Sequence, residues 1–311
     1  MITVLSLSPA VDKVYIVENF AAGGLYRVKN GLKSPGGKGI NVARVARMLG
    51  TRVNVLGFKA GAAGQWLEES LIKIGADTHF IEVEGESRTN SNIIDRVNNT
   101  ETEILEEGPT INRSDWERFL GEFGKSIGES RLLVCSGGLP KGLGFETYAE
   151  LIKEANAKNI KTILDASGEV LKSGIESKPC IIKPNLRELS AYFNKQFESD
   201  SDIVAACREI IRKGVRAVVT SLGGDGAVLV TENQALKAFP CETEVKNTIG
   251  SGDSMVAGIS AGIAAGMELE DCFRLGCACA ASNTEFLEIG MIDKARVEEL
   301  KSEIMIRIIN V

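Results

Sequence analysis

The chain has 311 residues, 44% hydrophobic and 25% charged, with 36 Lys and Arg against 42 Asp and Glu. These proportions describe a globular chain with little room for a disordered or low-complexity tail. The net charge of −6 argues against general binding of nucleic acid or an anionic membrane, because neither polyanion would be attracted. A small phosphorylated ligand stays open, since local donors bind phosphate inside an acidic protein. The one histidine, His79, excludes a multi-histidine metal centre and would have to serve any Ser-His-Asp triad. The seven cysteines, Cys135, Cys180, Cys207, Cys241, Cys272, Cys277 and Cys279, are odd in number and form no C-x-x-C. They read as small buried apolar residues in a reducing compartment, not as a disulfide framework or a zinc ribbon. No apolar run reaches the ~20 residues of a membrane helix, and no basic segment precedes an apolar one at the start. A cytoplasmic protein is expected.

Along the chain, short apolar runs alternate with longer amphipathic ones. Ile2–Leu7, Arg52–Phe58, Arg131–Cys135, Thr162–Asp165, Cys180–Lys183 and Ala217–Leu222 read as strands covered on both faces. Helical spacing marks QWLEESLIKIG, where Trp66, Leu67, Leu71 and Ile74 recur before Gly75, and also WERFLGEFGKSIG, FETYAELIKEANAK and DIVAACREIIRKG. This β-α-β-α rhythm predicts a mostly parallel sheet with helices on both faces, in one domain over residues 1–311. Val14–Lys33 and Ser91–Leu105 break the rhythm with polar alternation and no helix, around a turn at Asn98–Thr100. They predict a small antiparallel sheet projecting from the core.

Glycine makes up 33 of the 311 residues, clustered in SPGGKGIN, CSGGLPKG, SLGGDGA and TIGSGDS. In an open α/β sheet, ligands bind beyond the carboxyl ends of the strands, and turns there made of small residues expose backbone to a ligand. TIGSGDSMVAGISAGIAAG (Thr248–Gly266) places Gly250, Ser251 and Gly252 where a small-residue helix begins. The free N–H groups of such a turn make an anion hole. Asp253 falls in the first helical turn, where the helix terminus is expected to favour its carboxylate. Beside a bound phosphoryl group, it can orient an attacking hydroxyl and accept its proton. The turn has neither the GK[ST] of a P-loop nor G-x-G-x-x-G.

These segments together resemble the PfkB (ribokinase-like) carbohydrate kinase family over essentially the whole chain. GGKGINVARVARMLG (Gly36–Gly50) and NTIGSGDSMVAG (Asn247–Gly258) resemble its two signatures, with KPNLRE (Lys183–Glu188) and SLGGDGA between them. SPAVD, GGKGIN, GESRTN, TEILEEGP, SGGLPKG and LDASG are similar to the branch of 1-phosphofructokinases and tagatose-6-phosphate kinases. Two departures are visible. Ser8 stands where the branch usually has Asn in N-P-A-x-D, and Gly138 stands where it usually has Ser in S-G-S-L-P.

The resemblance implies a three-layer α/β/α core with a small β lid. It implies an ATP- and Mg2+-dependent kinase converting a ketohexose monophosphate to a bisphosphate. The favoured substrate is fructose 1-phosphate, with tagatose 6-phosphate as the alternative. Asp253 is then the base, with Gly250, Ser251 and Gly252 as the anion hole. Asp12, Gly37 and Asn41 hold the sugar, while Lys38, Arg88, Arg27 and Gly138 lie toward its phosphate; the fork of an arginine suits that group. Asn185 and Glu188 organise Mg2+ through water, and Lys183, Asn185, Ser221, Gly223, Gly226 and Asn283 serve the nucleotide. Local rules alone would make Asn185 and Glu188 a helix cap. The lid is expected to close over the sugar and to form a homodimer contact. A kinase for an unphosphorylated sugar would need no cluster of Lys38 and Arg88. A non-catalytic sugar-phosphate sensor could dispense with Asp253.

Overall fold

The computed structural model describes residues 1–29 and 31–309. Each apolar run read as a strand is one, within a residue at either end. In chain order the elements are β1 (Ile2–Ser6), β2 (Ala10–Val17), β3 (Leu32–Gly36), α1 (Lys38–Met48), β4 (Val53–Lys59), α2 (Gly61–Lys73), β5 (Asp77–Glu82), β6 (Arg88–Asp95), β7 (Thr100–Leu105), α3 (Arg113–Ile127), β8 (Leu132–Ser136) and α4 (Thr147–Ala157). There follow β9 (Lys161–Asp165), α5 (Gly168–Glu176), β10 (Ile181–Ile182), α6 (Leu186–Phe193), α7 (Asp200–Arg212), β11 (Ala217–Ser221), β12 (Ala227–Thr231), β13 (Ala235–Ala238), α8 (Ser251–Ala265), α9 (Leu269–Thr284), α10 (Lys294–Glu303) and β14 (Ile306–Ile308).

The ten-stranded sheet runs β14-β13-β12-β11-β10-β9-β8-β1-β4-β5. It is parallel from β5 to β11 and antiparallel from β11 to β14. β1 and β8 are buried along their whole length, as their unbroken apolar character requires. Apolar side chains of α1, α8, α9 and α10 fill one face and those of α3 to α7 the other, giving the three layers. The Gly- and Ala-rich stretch that opens α8 exists for close packing. A Cβ at Gly258 would lie 2.8 Å from the Cα of Gly276 on α9, so the two helices meet backbone to backbone. From β1 the chain winds outward to β4 and β5, then returns to β8 and winds the other way. The crevice between β1 and β8 is therefore the switch point of the sheet, where a ligand is expected.

The projecting sheet has the order β3-β2-β6-β7. Its two hairpins are antiparallel as expected, but its central pair, β2 with β6, is parallel. Both strands rise from the carboxyl edge of the parallel core, and that common origin fixes their direction. The strands also start earlier than the sequence suggested, at Ala10 and Arg88, because their first residues turn inward onto the cleft. The register sets Asp12 opposite Asn90, Asn92 opposite Glu103 and Asn90 opposite Leu105. With a period of two, these side chains share the inner face. Val14 and Ile94 on that face pack with Ile289, Ile249 and Leu287 of the core. Residues 18–29 and 31 form the connection between β2 and β3, and Asn30 lies outside the described residues.

Candidate active site

Beyond the switch point lies a cleft of about 760 Å3, a volume suited to small-molecule ligands. Its centre is the amino end of α8. Gly250 caps that helix with φ 85°, in the region that favours glycine. A Cβ there would also lie 2.8 Å from Ile289 Cγ2. The turn is pinned from below: Thr248 O accepts from Ser251 Oγ at 2.7 Å, and Asn247 Oδ1 accepts from Ile249 N at 2.9 Å. Gly250, Ser251 and Gly252 belong to the cleft wall, and the Ser251 amide donates to Thr248 O at 3.3 Å.

Asp253 sits just inside the turn, buried, with Oδ2 accepting from Asn41 Nδ2 at 2.8 Å. Burial pushes its carboxyl up to about 7, helped by the negative charge of Asp165 and opposed by Lys38, the Asn41 hydrogen bond and Lys183. This corrects the expectation from the helix terminus alone, which favoured the carboxylate. Desolvation outweighs the helix end here, and Asp253 is a stronger base than that expectation gave.

Asp165, at the carboxyl end of β9, carries no role in the sequence reading beyond its place in LDASG. It is wholly buried. Its Oδ1 lies 3.3 Å from Lys38 Nζ and 3.4 Å from Lys183 Nζ, and its Oδ2 has no partner. Burial alone would raise Asp165, but the ammonium groups of Lys183 and Lys38 outweigh it and hold its carboxyl below the usual value. In return, Asp165 raises Lys38 above the ordinary lysine value. The cleft thus has two lysines fixed beside Asp253 by one buried carboxylate. Nothing in a strand-end Asp marks it from sequence alone; only the fold brings Gly36–Gly39, KPN and LDASG to one point.

Lys183 leads into a capping box at α6. Asn185 Oδ1 accepts from Glu188 N at 2.8 Å, and Glu188 Oε2 accepts from Asn185 N at 2.9 Å. The second carboxylate oxygen of Glu188 lies 3.9 Å from Lys38 Nζ. The local capping role and a place at the cleft are therefore compatible.

At the lid end, Asp12 is buried and takes a 2.8 Å hydrogen bond from Asn90 Nδ2. Burial raises its carboxyl, against the Asn90 and Gly37 N–H bonds and the charges of Arg88 and Arg44. Gly36 has to be glycine, since a Cβ would fall 1.9 Å from Asp12 Oδ2. Arg88 donates from Nε and Nη2 to Ser8 O at 3.3 and 3.1 Å and from Nη1 to Asn90 Oδ1 at 3.2 Å. Ser8 thus acts through its backbone carbonyl, which any residue there supplies. Ser221, Gly223 and Gly226 also line the cleft, as do Pro240, Val245 and Ala281.

Asp12, Gly37, Lys38, Asn41, Arg88, Lys183, Asn185, Ser221, Gly223, Gly226 and Gly250–Asp253 all line this one cleft. Four expected residues do not. Glu188 stands behind Asn185 in the capping box, with its free carboxylate oxygen 3.9 Å from Lys38 Nζ. Arg27 is exposed on the connection between β2 and β3. Gly138 is exposed beyond β8, with open space around it; its neighbour Gly137 is the one against Lys38, whose Cβ would lie 3.3 Å from a Cβ added there. Asn283 is fully buried behind the turn. Its Nδ2 donates to Ile249 O, and its Oδ1 accepts from Ser254 Oγ and Gly290 N, at 3.0 to 3.1 Å. It holds the turn and does not face a ligand, because α9 turns that side chain toward α8. Asn90 and Asn92, which sequence reasoning did not single out, line the lid end instead. His79 lies on β5 beside Glu122, 4.0 Å away, outside the cleft, and all seven cysteines are free thiols. No helix among the described residues is long and apolar enough to cross a membrane.

One cleft thus gathers the lid residues Asp12, Asn90 and Arg88, the glycine turn with Asp253, and Ser221, Gly223 and Gly226. The chain belongs to the pfkB family of carbohydrate kinases, whose model matches residues 2–285. It is 36% identical to the 1-phosphofructokinase of Bacillus subtilis, over 93% of this chain and 94% of that one. It is 35% identical to a tagatose-6-phosphate kinase of Staphylococcus epidermidis, over 98% of each. Among solved structures it superimposes on phosphofructokinase-2 of Escherichia coli in complex with substrates and products. That match has a TM-score of 0.90 and 27% identity, and covers 97% of this chain and 98% of that one.

Proposed function

We propose that the chain transfers the γ-phosphoryl group of ATP to the 6-hydroxyl of fructose 1-phosphate, giving fructose 1,6-bisphosphate and ADP. The observation that carries this reading is Asp253, buried, held by Asn41 and set between a lid end with one arginine and the glycine turn at the start of α8. The sugar lies under the lid, its hydroxyls on Asp12, Asn41 and Asn90 and its phosphate on Arg88. The nucleotide lies along Ser221, Gly223 and Gly226. The attacking hydroxyl gives its proton to Asp253 as its oxygen bonds to phosphorus and the bridging bond to ADP breaks. Charge on the transferred group is met by the Gly250–Gly252 amides, Lys38 and Lys183. Positioning and charge stabilisation dominate such a loose transition state.

Mg2+ fits this cleft as an ion held chiefly by phosphate oxygens and water. The described residues hold no cluster of three or more acidic, Cys or His ligands, but Glu188 keeps one carboxylate oxygen out of its capping bond. Asn185 and Glu188 would hold the ion through water, and it would neutralise the nucleotide phosphates.

A second reading, tagatose 6-phosphate phosphorylated at its 1-hydroxyl, draws on the relative of that name matched over nearly the full length of both chains. A ketohexofuranose carries a CH2O group at each end of a pseudo-symmetric ring, so one pocket can clamp either phosphate. ADP release measured with fructose 1-phosphate, tagatose 6-phosphate, fructose 6-phosphate and ribose decides the matter. The highest kcat/KM is expected on fructose 1-phosphate, and a preference for ribose would defeat the phosphate-clamp reading.

Arg88→Ala is expected to raise KM for the sugar phosphate by about ten- to a hundredfold, since a charge-assisted bond is worth about 1.5–3 kcal/mol. KM for ATP should hardly move; equal effects on both substrates would contradict the clamp. The outward face of the lid, with Tyr15 and Ile93 half-buried and Ile104 exposed, is the surface that a second copy would cover. Light scattering at micromolar concentration is expected to give a dimer mass, reverting to monomer in Ile104→Lys.

A further inference from the structure

One contact between the lid and the core has no part in the scheme above. Glu101 stands near the far end of β7, opposite Ile94, on the inner face of the lid. Its carboxylate grips Thr248 twice: Oε1 accepts from Thr248 N at 3.1 Å and Oε2 from Thr248 Oγ1 at 2.7 Å. Thr248 opens the phosphate-binding turn, and its carbonyl in turn accepts from Ser251 N at 3.3 Å and Ser251 Oγ at 2.7 Å. A second link lies beside the first. Ile249, in the turn, packs in the cluster formed by Val14 and Ile94 of the lid with Ile289. The lid therefore touches the turn through a charged pair of hydrogen bonds and an apolar contact, at two successive residues.

We propose that Glu101 is a positioning residue that couples the lid to the anion hole. With the lid down, its carboxylate fixes Thr248, and through Thr248 the Gly250–Gly252 amides take the orientation that receives the transferred phosphoryl group. The inference rests on reading the turn as that anion hole. Its consequence is a division of labour: Arg88 and Asp12 sense the sugar, and Glu101 reports a closed lid to the nucleotide side. A turn that is well ordered only under a closed lid favours transfer to sugar over transfer to water, because the closed lid excludes water.

The test uses the full chain with Glu101→Ala, Glu101→Gln, Thr248→Val and the Ala/Val double variant. Glu101 is exposed, so its loss leaves no buried group unpaired. Glu101→Ala is expected to lower kcat by about five- to tenfold, the scale of a partly screened charged hydrogen-bond pair. KM for the sugar phosphate should change by less than about twofold, since Glu101 does not line the cleft. Glu101→Gln keeps one acceptor and should recover part of the loss. The double variant should be no worse than the poorer single, because both changes cut one link. Losses that multiply, or kcat unchanged in Glu101→Ala, would overturn the coupling. Hydrogen exchange read on residues 249–253 needs no turnover. Glu101→Ala should speed it several-fold, and unchanged protection overturns the proposal even if the parent chain phosphorylates none of the sugars tried. Conversely, faster exchange in a chain without sugar-dependent ADP release would leave the coupling standing and remove the proposed reaction.

Discussion

Asp253→Asn is expected to lower kcat by about 10²–10⁴-fold, the span of a general base, with KM for ATP and for the sugar phosphate nearly unchanged. The amide is isosteric and still accepts from Asn41, so the cleft keeps its shape and loses only the proton acceptor. Near-normal turnover would remove Asp253 from that role. The parent enzyme carries the matching pH signature. The active form is the carboxylate, and burial sets its pKa at about 7. Therefore kcat/KM should fall about tenfold per unit below pH 7 and level off above it, where an unperturbed aspartate would leave it flat to pH 5. Stability should move in the opposite sense. A carboxyl whose folded value is raised stabilises the fold while protonated, and that contribution is lost as pH rises through 7. Asp253→Asn should therefore unfold at higher denaturant than the parent at pH 8, with the gain shrinking toward pH 5. Urea titrations at the two pH values measure it, and an equal difference at both would show that Asp253 does not titrate in that window.

The second large effect belongs to Asp165. Asp165→Asn leaves Lys38 and Lys183 near one another without their buried counter-charge. Removing one partner of such a pair costs about 3–5 kcal/mol, enough to consume much of a domain's ordinary stability. Because Asp165 is held below the usual carboxylate value, its contribution is present above that value and is lost as pH falls through the depressed one. The deficit of Asp165→Asn should accordingly be full at pH 7 and shrink in strong acid. Its kinetic mark is separate. Without the negative neighbour, and with both lysines turned toward Asp253 alone, the acid limb of kcat/KM should shift below pH 7. A variant with parental stability and an unshifted limb would reduce Asp165 to a bystander.

Much of this molecule was legible in the chain itself. Runs such as Ile2–Leu7 and Ala217–Leu222 are apolar enough to be strands in almost any context, and three of the four glycine clusters, SPGGKGIN, SLGGDGA and TIGSGDS, line the cleft. What escaped was whatever depends on distant parts meeting. The carboxyl of Asp253 is raised chiefly by burial, against Lys38 and with help from Asp165, a carboxylate 88 positions earlier, so the helix end beside it in sequence pointed the other way. Asn283 sits in a helix whose register, not its composition, decides whether it faces the cleft or the back of the turn. Asp12 and Asn90 are neighbours only because β2 and β6 run parallel, a pairing that no hairpin signal announces. Arg27, attractive as a cation near a phosphate, lies on a connection that the sheet carries away from the cleft.

That parallel pair also dictates how the lid can move. Strands β2 and β6 leave the core side by side, through Leu7–Pro9 and Val83–Ser87, and β3 returns at Gly36–Gly37. The chain leaves β7 for the core as well, through Glu106–Asn112. Four anchorages along one edge leave a stiff plate little freedom except rotation about the line that joins them. A strand advances about 3.4 Å per residue, so the level of Ile94 and Glu101 stands roughly 20 Å from that axis. A swing of about ten degrees would then carry Glu101 roughly 3.5 Å, farther than a hydrogen bond stretches before it breaks. Asp12 and Arg88, close to the axis, would barely shift. The sugar could thus be gripped in much the same way throughout the stroke, while the outer tip of the plate works as a contact that is either made or broken.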